Sequence, residues 1–370
     1  MKKLFLVLLS TVLLFAFILT GCATTTPSSP TPSPSPTPSA SPSPSTQTFE
    51  LKFAYWIPPV IPIAKFGYEA WGQEIEDATG GRVKIKFFGG AAMGAPPDHY
   101  DLVKSGTADI SNFVGEFTPG VFPLTSVANL PLMFPSSEVA AGALWEFSEK
   151  YTFDKEFKDV KVLAMSPTAP VQLLNNKLQV KTLGDLKGLK IAVTSPTQTK
   201  IVEKLGAAPV FMPEGEVYTS LERGLVDGRL HQWDGAVVWK GMEVTKYRTG
   251  NLDLTLDLMT IAMNRDTWNK LPQDLQNIVT GATGLLWSRH LGMVFDRANN
   301  QNLMVLQDYD KKKGNPEIYW LPNDERQNWV KAVTPYYDEW VKEMDDKGLP
   351  GKAALDDIRS LAAKYSKMYQ

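Results

Sequence analysis

The chain has 370 residues, with 38 Lys and Arg against 40 Asp and Glu and a formal net charge of −2. This balance excludes the basic footprint of a nucleic-acid binder and the polybasic patch of a membrane-surface protein; the hydrophobic fraction of 43 % is that of an ordinary globular chain. A single cysteine, Cys22, excludes disulfides within the chain and cysteine-built metal sites.

Lys2 and Lys3 precede an apolar run from Leu4 to Leu19 that is broken by Ser10 and Thr11. This is the layout of a secretory signal, and it is short for a membrane span. Leu19-Thr20-Gly21-Cys22 resembles a bacterial lipobox. The resemblance implies that residues 1–22 are a lipoprotein signal peptide and that the Cys22 thiol carries a diacylglycerol after cleavage. Residues 23–48 are rich in Pro, Ser and Thr and nearly free of apolar side chains, so they build no core. Alternating prolines favour polyproline II, which lets such a tether reach about 75 Å.

The body, from Phe49 to Gln370, is long enough for two domains. Phe49–Trp56 alternates apolar and polar residues and predicts a strand; Ala64–Ala78 has helical spacing and stops at Gly80-Gly81. Val83–Phe88 predicts a strand, Tyr100–Ser105 a helix ending at Gly106, and residues 108–114 a third strand. The β-α-β-α-β order is that of an α/β lobe. The pattern recurs with strands at Val160–Met165, Leu189–Val193 and Pro209–Met212, and helices at Thr197–Gly206 and around Glu216–Gly224. A long helix is predicted from Pro272 to near Lys313, where 40 residues would cover about 60 Å and span both lobes. Amphipathic helices follow at Asn323–Asp346 and Gly351–Tyr369.

A short internal repeat supports two related lobes. "DHYDLVKSGTAD" (Asp98–Asp109) and "EVYTSLERGLVD" (Glu216–Asp227) match at Tyr100 and Tyr218, Val103 and Leu221, Gly106 and Gly224, and Asp109 and Asp227. Tyr and the apolar residue three positions on would bury one helical face. Gly would take the left-handed position that ends the helix, and Asp would open the turn to the next strand.

"MPEGEVYTSLERGLVDG" (Met212–Gly228) resembles the signature of the solute-binding proteins of TRAP (tripartite ATP-independent periplasmic) transporters. "TLGDLKGLKIAV", "LPQDLQNIV" and "DISNFVGEFTPGVFPLTSVANLPLMF" resemble other parts of that family, so the resemblance covers nearly all of 49–367. It implies an α/β, two-lobed periplasmic binding protein fold with hinge strands and a long helix spanning both lobes. Lobe I is expected to comprise 49–168 plus about 256–300, and lobe II 169–255 plus about 301–345, with a C-terminal helix over 346–370. The family captures a small solute, usually an organic acid, by closing the lobes over it, then delivers it to small and large membrane subunits. The expected location is extracytoplasmic, lipid-anchored to the membrane, and the expected state a monomer.

The sequence departs from the family at its carboxylate clamp. The position at which the resemblance implies a solute-binding arginine is occupied by Ala192, and a second basic position by Val171. A shielded bidentate Arg–carboxylate pair is strong and directional, so its loss weakens the inference to a C4-dicarboxylate or sugar acid. The residues expected at the cleft are Tyr55, Trp56, Glu116, Phe117, Gln172, Thr194, His231, Gln232 and Trp233. Such a set suits an aromatic or alicyclic ring, or a cation held by ring faces and a carboxylate. Arg229 is available as a replacement cation, whereas Arg223 is expected to be a solvated helix residue.

Enzyme motifs are lacking: there is no G-x-S-x-G, Walker loop, G-x-G-x-x-G or H-E-x-x-H. His99, His231 and His290 have no metal-ligand spacing, and no cofactor is expected. The competing reading is a solute-binding lipoprotein that serves an ABC importer or a sensor, with a neutral or cationic ligand, because a fold does not fix its partner.

Overall fold

The computed structural model describes residues 47–369. The expected signal peptide, Cys22 and all but the last two residues of the expected tether lie outside them. Among the described residues the strands are β1 (Phe49–Ala54), β2 (Val83–Phe88), β3 (Ile110–Val114), β4 (Val160–Pro167), β5 (Gln172–Asn175), β6 (Lys190–Val193), β7 (Ala208–Phe211), β8 (Gly228–His231), β9 (Tyr247–Gly250), β10 (Leu258–Asn264) and β11 (Tyr319–Trp320). The helices are α1 (Ala70–Ala78), α2 (His99–Ser105), α3 (Ser137–Tyr151), α4 (Pro196–Lys204), α5 (Glu214–Glu222), α6 (Trp233–Val238), α7 (Arg265–Lys270), α8 (Gln273–Gly281), α9 (Gly284–Lys313), α10 (Asn323–Val333), α11 (Pro335–Asp346) and α12 (Gly351–Met368).

Two sheets organise the chain, in the orders β2-β1-β3-β10-β4 and β11-β9-β5-β8-β6-β7. The fold is the two-lobed one the resemblance implies, with one sheet in each lobe. The chain crosses from the first sheet to the second after β4 and returns after β9. β10 is an interior strand, antiparallel to both β3 and β4, and every residue of LMTIAMN is buried. That explains its nearly continuous apolar run, which carries no alternation to read.

The repeat has a structural counterpart. Gly106 and Gly224 both take left-handed φ, at +77° and +68°. Asp109 Oδ2 accepts from the backbone N–H of Lys52 on β1, and Asp227 Oδ2 from that of Lys190 on β6, each at 2.9 Å. In both lobes the aspartate thus ties the end of its turn to the neighbouring parallel strand. The buried helical faces differ: Tyr100 and Val103 are buried in α2, but α5 buries Val217 and Leu221 and leaves Tyr218 half-exposed.

Several predicted elements are corrected. The strand from Phe49 ends at Ala54 rather than Trp56. The helix over 64–78 begins as a π-helical turn at Ile63–Glu69. The long helix from Pro272 is broken between α8 and α9, where Thr283 is extended and Gly284 takes φ +76° against the Trp145 ring. α9 alone has 30 residues. The stretch 323–346 is two helices, with Pro335 opening the second. Helices α3, α6 and α7 and strands β5, β8, β9, β10 and β11 are not among the predicted elements.

One side of α9 serves both lobes. Asp296 accepts the first backbone N–H groups of α3, from Ser137 at 2.8 Å and Glu138 at 2.9 Å. Three residues on, Asn299 Oδ1 accepts those of α6, from Trp233 at 2.8 Å and Asp234 at 3.3 Å. Helix starts leave their N–H groups without intrahelical partners, and α9 supplies the missing acceptors.

Candidate functional site

A cavity of about 400 Å³ lies between the sheets, within the usual range for a small-molecule site. The first-sheet side contributes Trp56, Ile57, Phe117 and Met259; the second contributes Thr194, His231, Gln232, Asp234 and Trp239. Trp56 and Trp239 stack across it with centroids 6.4 Å apart and planes 27° from parallel. Most other tryptophans are structural, as in the Trp71–Trp287 stack at 4.3 Å.

Of the residues expected at the cleft, Trp56, Phe117, Thr194, His231 and Gln232 line this cavity. Four are placed elsewhere. Tyr55 is 1 % exposed and lies under Gly89, with its ring against Phe53 and Tyr68. Gln172 staples the return crossing, donating to Asp253 Oδ1 at 2.8 Å and accepting from Leu252 N–H at 3.0 Å. Trp233 is packed with Leu174, Ala236 and Leu306. Glu116 borders a neighbouring cavity, where Oε1 accepts from the Thr197 hydroxyl at 2.5 Å and the Thr197 N–H at 3.3 Å. Because Glu116 follows β3 and Thr197 opens α4, this contact joins the two lobes. Burial holds the Glu116 carboxyl above its ordinary range, against the lowering hydroxyls of Thr197 and Ser195.

The expectations missed Trp239, Asp234, Asp257, Glu214 and Phe295, all of which line the cavity. Asp257 sits where the chain re-enters the first sheet, its backbone N–H held by Thr168 Oγ1 at 3.0 Å. Only the position of this crossing segment marks it, and that is not visible in a motif. Burial pushes Asp257 up to about 7, with the charges of Glu116 and Glu214 adding and Arg229 opposing. Burial likewise pushes Asp234 up to about 7. His231 is held well below its ordinary value by burial and then by Arg229, so the ring is neutral at pH 7.

Arg229 occupies a telling position. Ala192 on β6 faces it in register on β8, so this chain carries a guanidinium one strand away from where the resemblance implies one. It is not free: Nη1 and Nη2 donate to the two carboxylate oxygens of Glu214, both at 2.8 Å. Arg223 lies exposed at the end of α5.

Residues 54–343 match the family described as bacterial extracellular solute-binding protein, family 7. A TRAP solute-binding protein from Rhodoferax ferrireducens, solved with copurified benzoate, is 30 % identical and superposes with a TM-score of 0.82 over 87 % of this chain and all of its own. The chain belongs to the family-7 solute-binding proteins of TRAP transporters. Another similar structure is a marine metagenome TRAP solute-binding protein described as specific for aromatic acid ligands and solved with 3-hydroxybenzoate. It is 26 % identical, with a TM-score of 0.81 over 86 % of this chain and 99 % of its own. A solute-binding protein of Verminephrobacter eiseniae is 27 % identical over 303 residues, covering 79 % of this chain and 83 % of that protein. In this family-7 protein the cavity lies between two sheets joined by crossing strands, a kind of crevice in which small molecules commonly bind.

Proposed function

We propose that this protein is the extracytoplasmic receptor of a TRAP transporter. In this reading it captures a compact aromatic or alicyclic solute between its lobes and delivers it to small and large membrane subunits. The observation that carries the proposal is the cavity itself: both sheets supply its walls, and Trp56, Phe117, Trp239 and Phe295 make those walls aromatic. Flat rings stacked or edge-on against such side chains gain contact area without needing many polar partners. The benzoate and 3-hydroxybenzoate in similar structures support a ring-sized solute. The role is binding rather than catalysis, as in the family. We place the lobe boundary at the two crossings, near 168–171 and 251–257.

A ligand that binds only the folded protein raises its melting temperature by mass action. A thermal-shift screen with aromatic and alicyclic acids, the corresponding amines, and C4-dicarboxylates tests the proposal. At least one ring compound is expected to raise the midpoint, while succinate and malate leave it unchanged. A clear rise with succinate alone would exclude the ring-solute reading, and silence across the whole screen would exclude solute capture of this kind.

The lipid anchor is a second part of the proposal and rests on Cys22 in its lipobox setting. Each buried methylene of an acyl chain contributes about 0.8 kcal/mol, so two or three chains hold firmly. Cys22→Ser is expected to move the protein from washed membranes to the soluble fraction on cell fractionation; undiminished membrane retention would rule the anchor out.

A further inference from the structure

Given the solute-binding reading above, on which this step rests, we propose that the solute is a ring-bearing organic cation, a protonated amine, rather than a carboxylate. The inference comes from asking which polar groups of the cavity are already satisfied and which are open.

Most groups that would welcome an anion are occupied; the Arg229 Nε–H is buried without a partner, but Arg229 does not line the cavity. Arg229, the guanidinium nearest the family's clamp position, is bound at both ends of its fork by Glu214. The Thr197 N–H in the first turn of α4 is taken by Glu116, and the N–H groups opening α6 are taken by Asn299. The Thr194 N–H donates to Gln198 Oε1 at 3.2 Å. No lysine or arginine lines the cavity among the described residues. A carboxylate could reach Arg229 by evicting Glu214, which would leave a half-buried glutamate unpaired at the cavity wall, a costly exchange.

The groups that would welcome a cation are open. Asp257 lines the cavity, half-buried, and among the described residues burial and charge, not a hydrogen bond, act on its carboxyl. Asp234 Oδ1 and Gln232 Oε1 are buried without a partner; Nδ1 of the neutral His231 is too, and it accepts from a cation only in the tautomer that carries the proton on Nε2. Gln232 and His231 are each only 7 % exposed. Buried polar atoms without partners are uncommon, and those that line a cavity are open to a ligand or to water. With Glu214 neutralised by Arg229, the two remaining carboxyls set the sign of the cavity. The faces of Trp56 and Trp239 add attraction for a cation and none for an anion. The Trp56 indole N–H is also buried without a partner. It is a neutral donor, suited to an oxygen on the solute and unable to neutralise a carboxylate. Carboxyls pushed up to about 7 by burial also gain most when a positive charge arrives beside them.

The test is isothermal titration of the full chain, purified in detergent, with matched pairs that differ only in the polar group: benzylamine and benzoate, phenethylamine and phenylacetate, cyclohexylamine and cyclohexanecarboxylate. At least one amine is expected to bind about tenfold or more tightly than its matching acid. Asp257→Asn should reduce that amine's affinity about tenfold or more while the melting temperature of the empty protein holds, because burial and charge, not a hydrogen bond, act on its carboxyl. Asp234→Asn is the second variant, expected to act in the same direction and available should the first fold poorly. Tighter binding of an acid than of its amine overturns the cation proposal and leaves solute capture standing. Failure of every amine also overturns it; joined with silence in the wider thermal screen, it removes both readings. Amine affinity unchanged in both variants overturns the role given to the carboxyls and with it the proposal.

Discussion

Replacing Arg248 by methionine is expected to lower the free energy of unfolding by about 3–5 kcal/mol. Arg248 is fully buried on β9, and Nη2 donates to Asp310 Oδ1 at 3.0 Å and to the carbonyl oxygens of Thr245 at 3.0 Å and Met242 at 3.2 Å. It fastens the loop before β9 to the last turns of α9. Burial pulls the guanidinium below its ordinary value and holds the Asp310 carboxyl above its own, so the fold bears a desolvation cost on both partners. Removing only the arginine leaves that cost on Asp310 with no compensating charge. Asn315 Nδ2, donating at 2.8 Å, is then its main remaining partner. Urea denaturation gives the size of the loss. The double variant Arg248→Met, Asp310→Leu should recover part of it: the stranded charge is gone, while two carbonyl oxygens still lack their donor. A single variant as stable as the parent would show that the buried pair contributes nothing.

Gly292→Ala is expected to cost about 1–3 kcal/mol and to lower the melting temperature by several degrees. A Cβ at Gly292 would lie 2.7 Å from Glu138 Cα and 2.8 Å from Glu138 N and Ser137 C. These are backbone atoms in the first turn of α3, and they cannot step aside as a flexible side chain would. The added methyl would prise α9 from α3 at the point where Asp296 receives the Ser137 and Glu138 N–H groups. Gly281→Ala is the control. Nothing lies within 4 Å of its Cβ and its φ is ordinary, so stability should hold or rise by up to about 1 kcal/mol. Equal melting temperatures for the two variants would show that the α3–α9 contact is looser than described.

Those glycines also show what was legible in the sequence. Gly106 and Gly224 end helices that periodicity already announced, and each is followed by an aspartate whose task repeats in both lobes. Gly284 lies inside the stretch predicted as one long helix, because its left-handed φ against Trp145 depends on a ring 139 positions away. The cavity was half legible for the same reason. Trp56, Phe117, Thr194, His231 and Gln232 lie beside strand ends, where a two-lobed α/β fold puts its ligand. Trp239 gains its meaning from stacking on Trp56, a pairing that no local pattern carries. Gln172 and Trp233 also stand at strand or helix starts, yet their polar or apolar needs are met behind the cavity, by Asp253 and by Leu306. Position along a strand was enough to nominate residues; which direction each side chain takes was decided by partners distant in sequence.

The rung formed by Asp296 and Asn299 ties both halves of the molecule to one helix. Two neighbouring side chains, about 4.5 Å apart along one helix axis, grip the start of a helix in each half. Sliding the halves past one another would tear these grips, whereas pivoting about them strains neither by much. A rotation of one half against the other that keeps both grips would therefore have to turn about α9, near that rung.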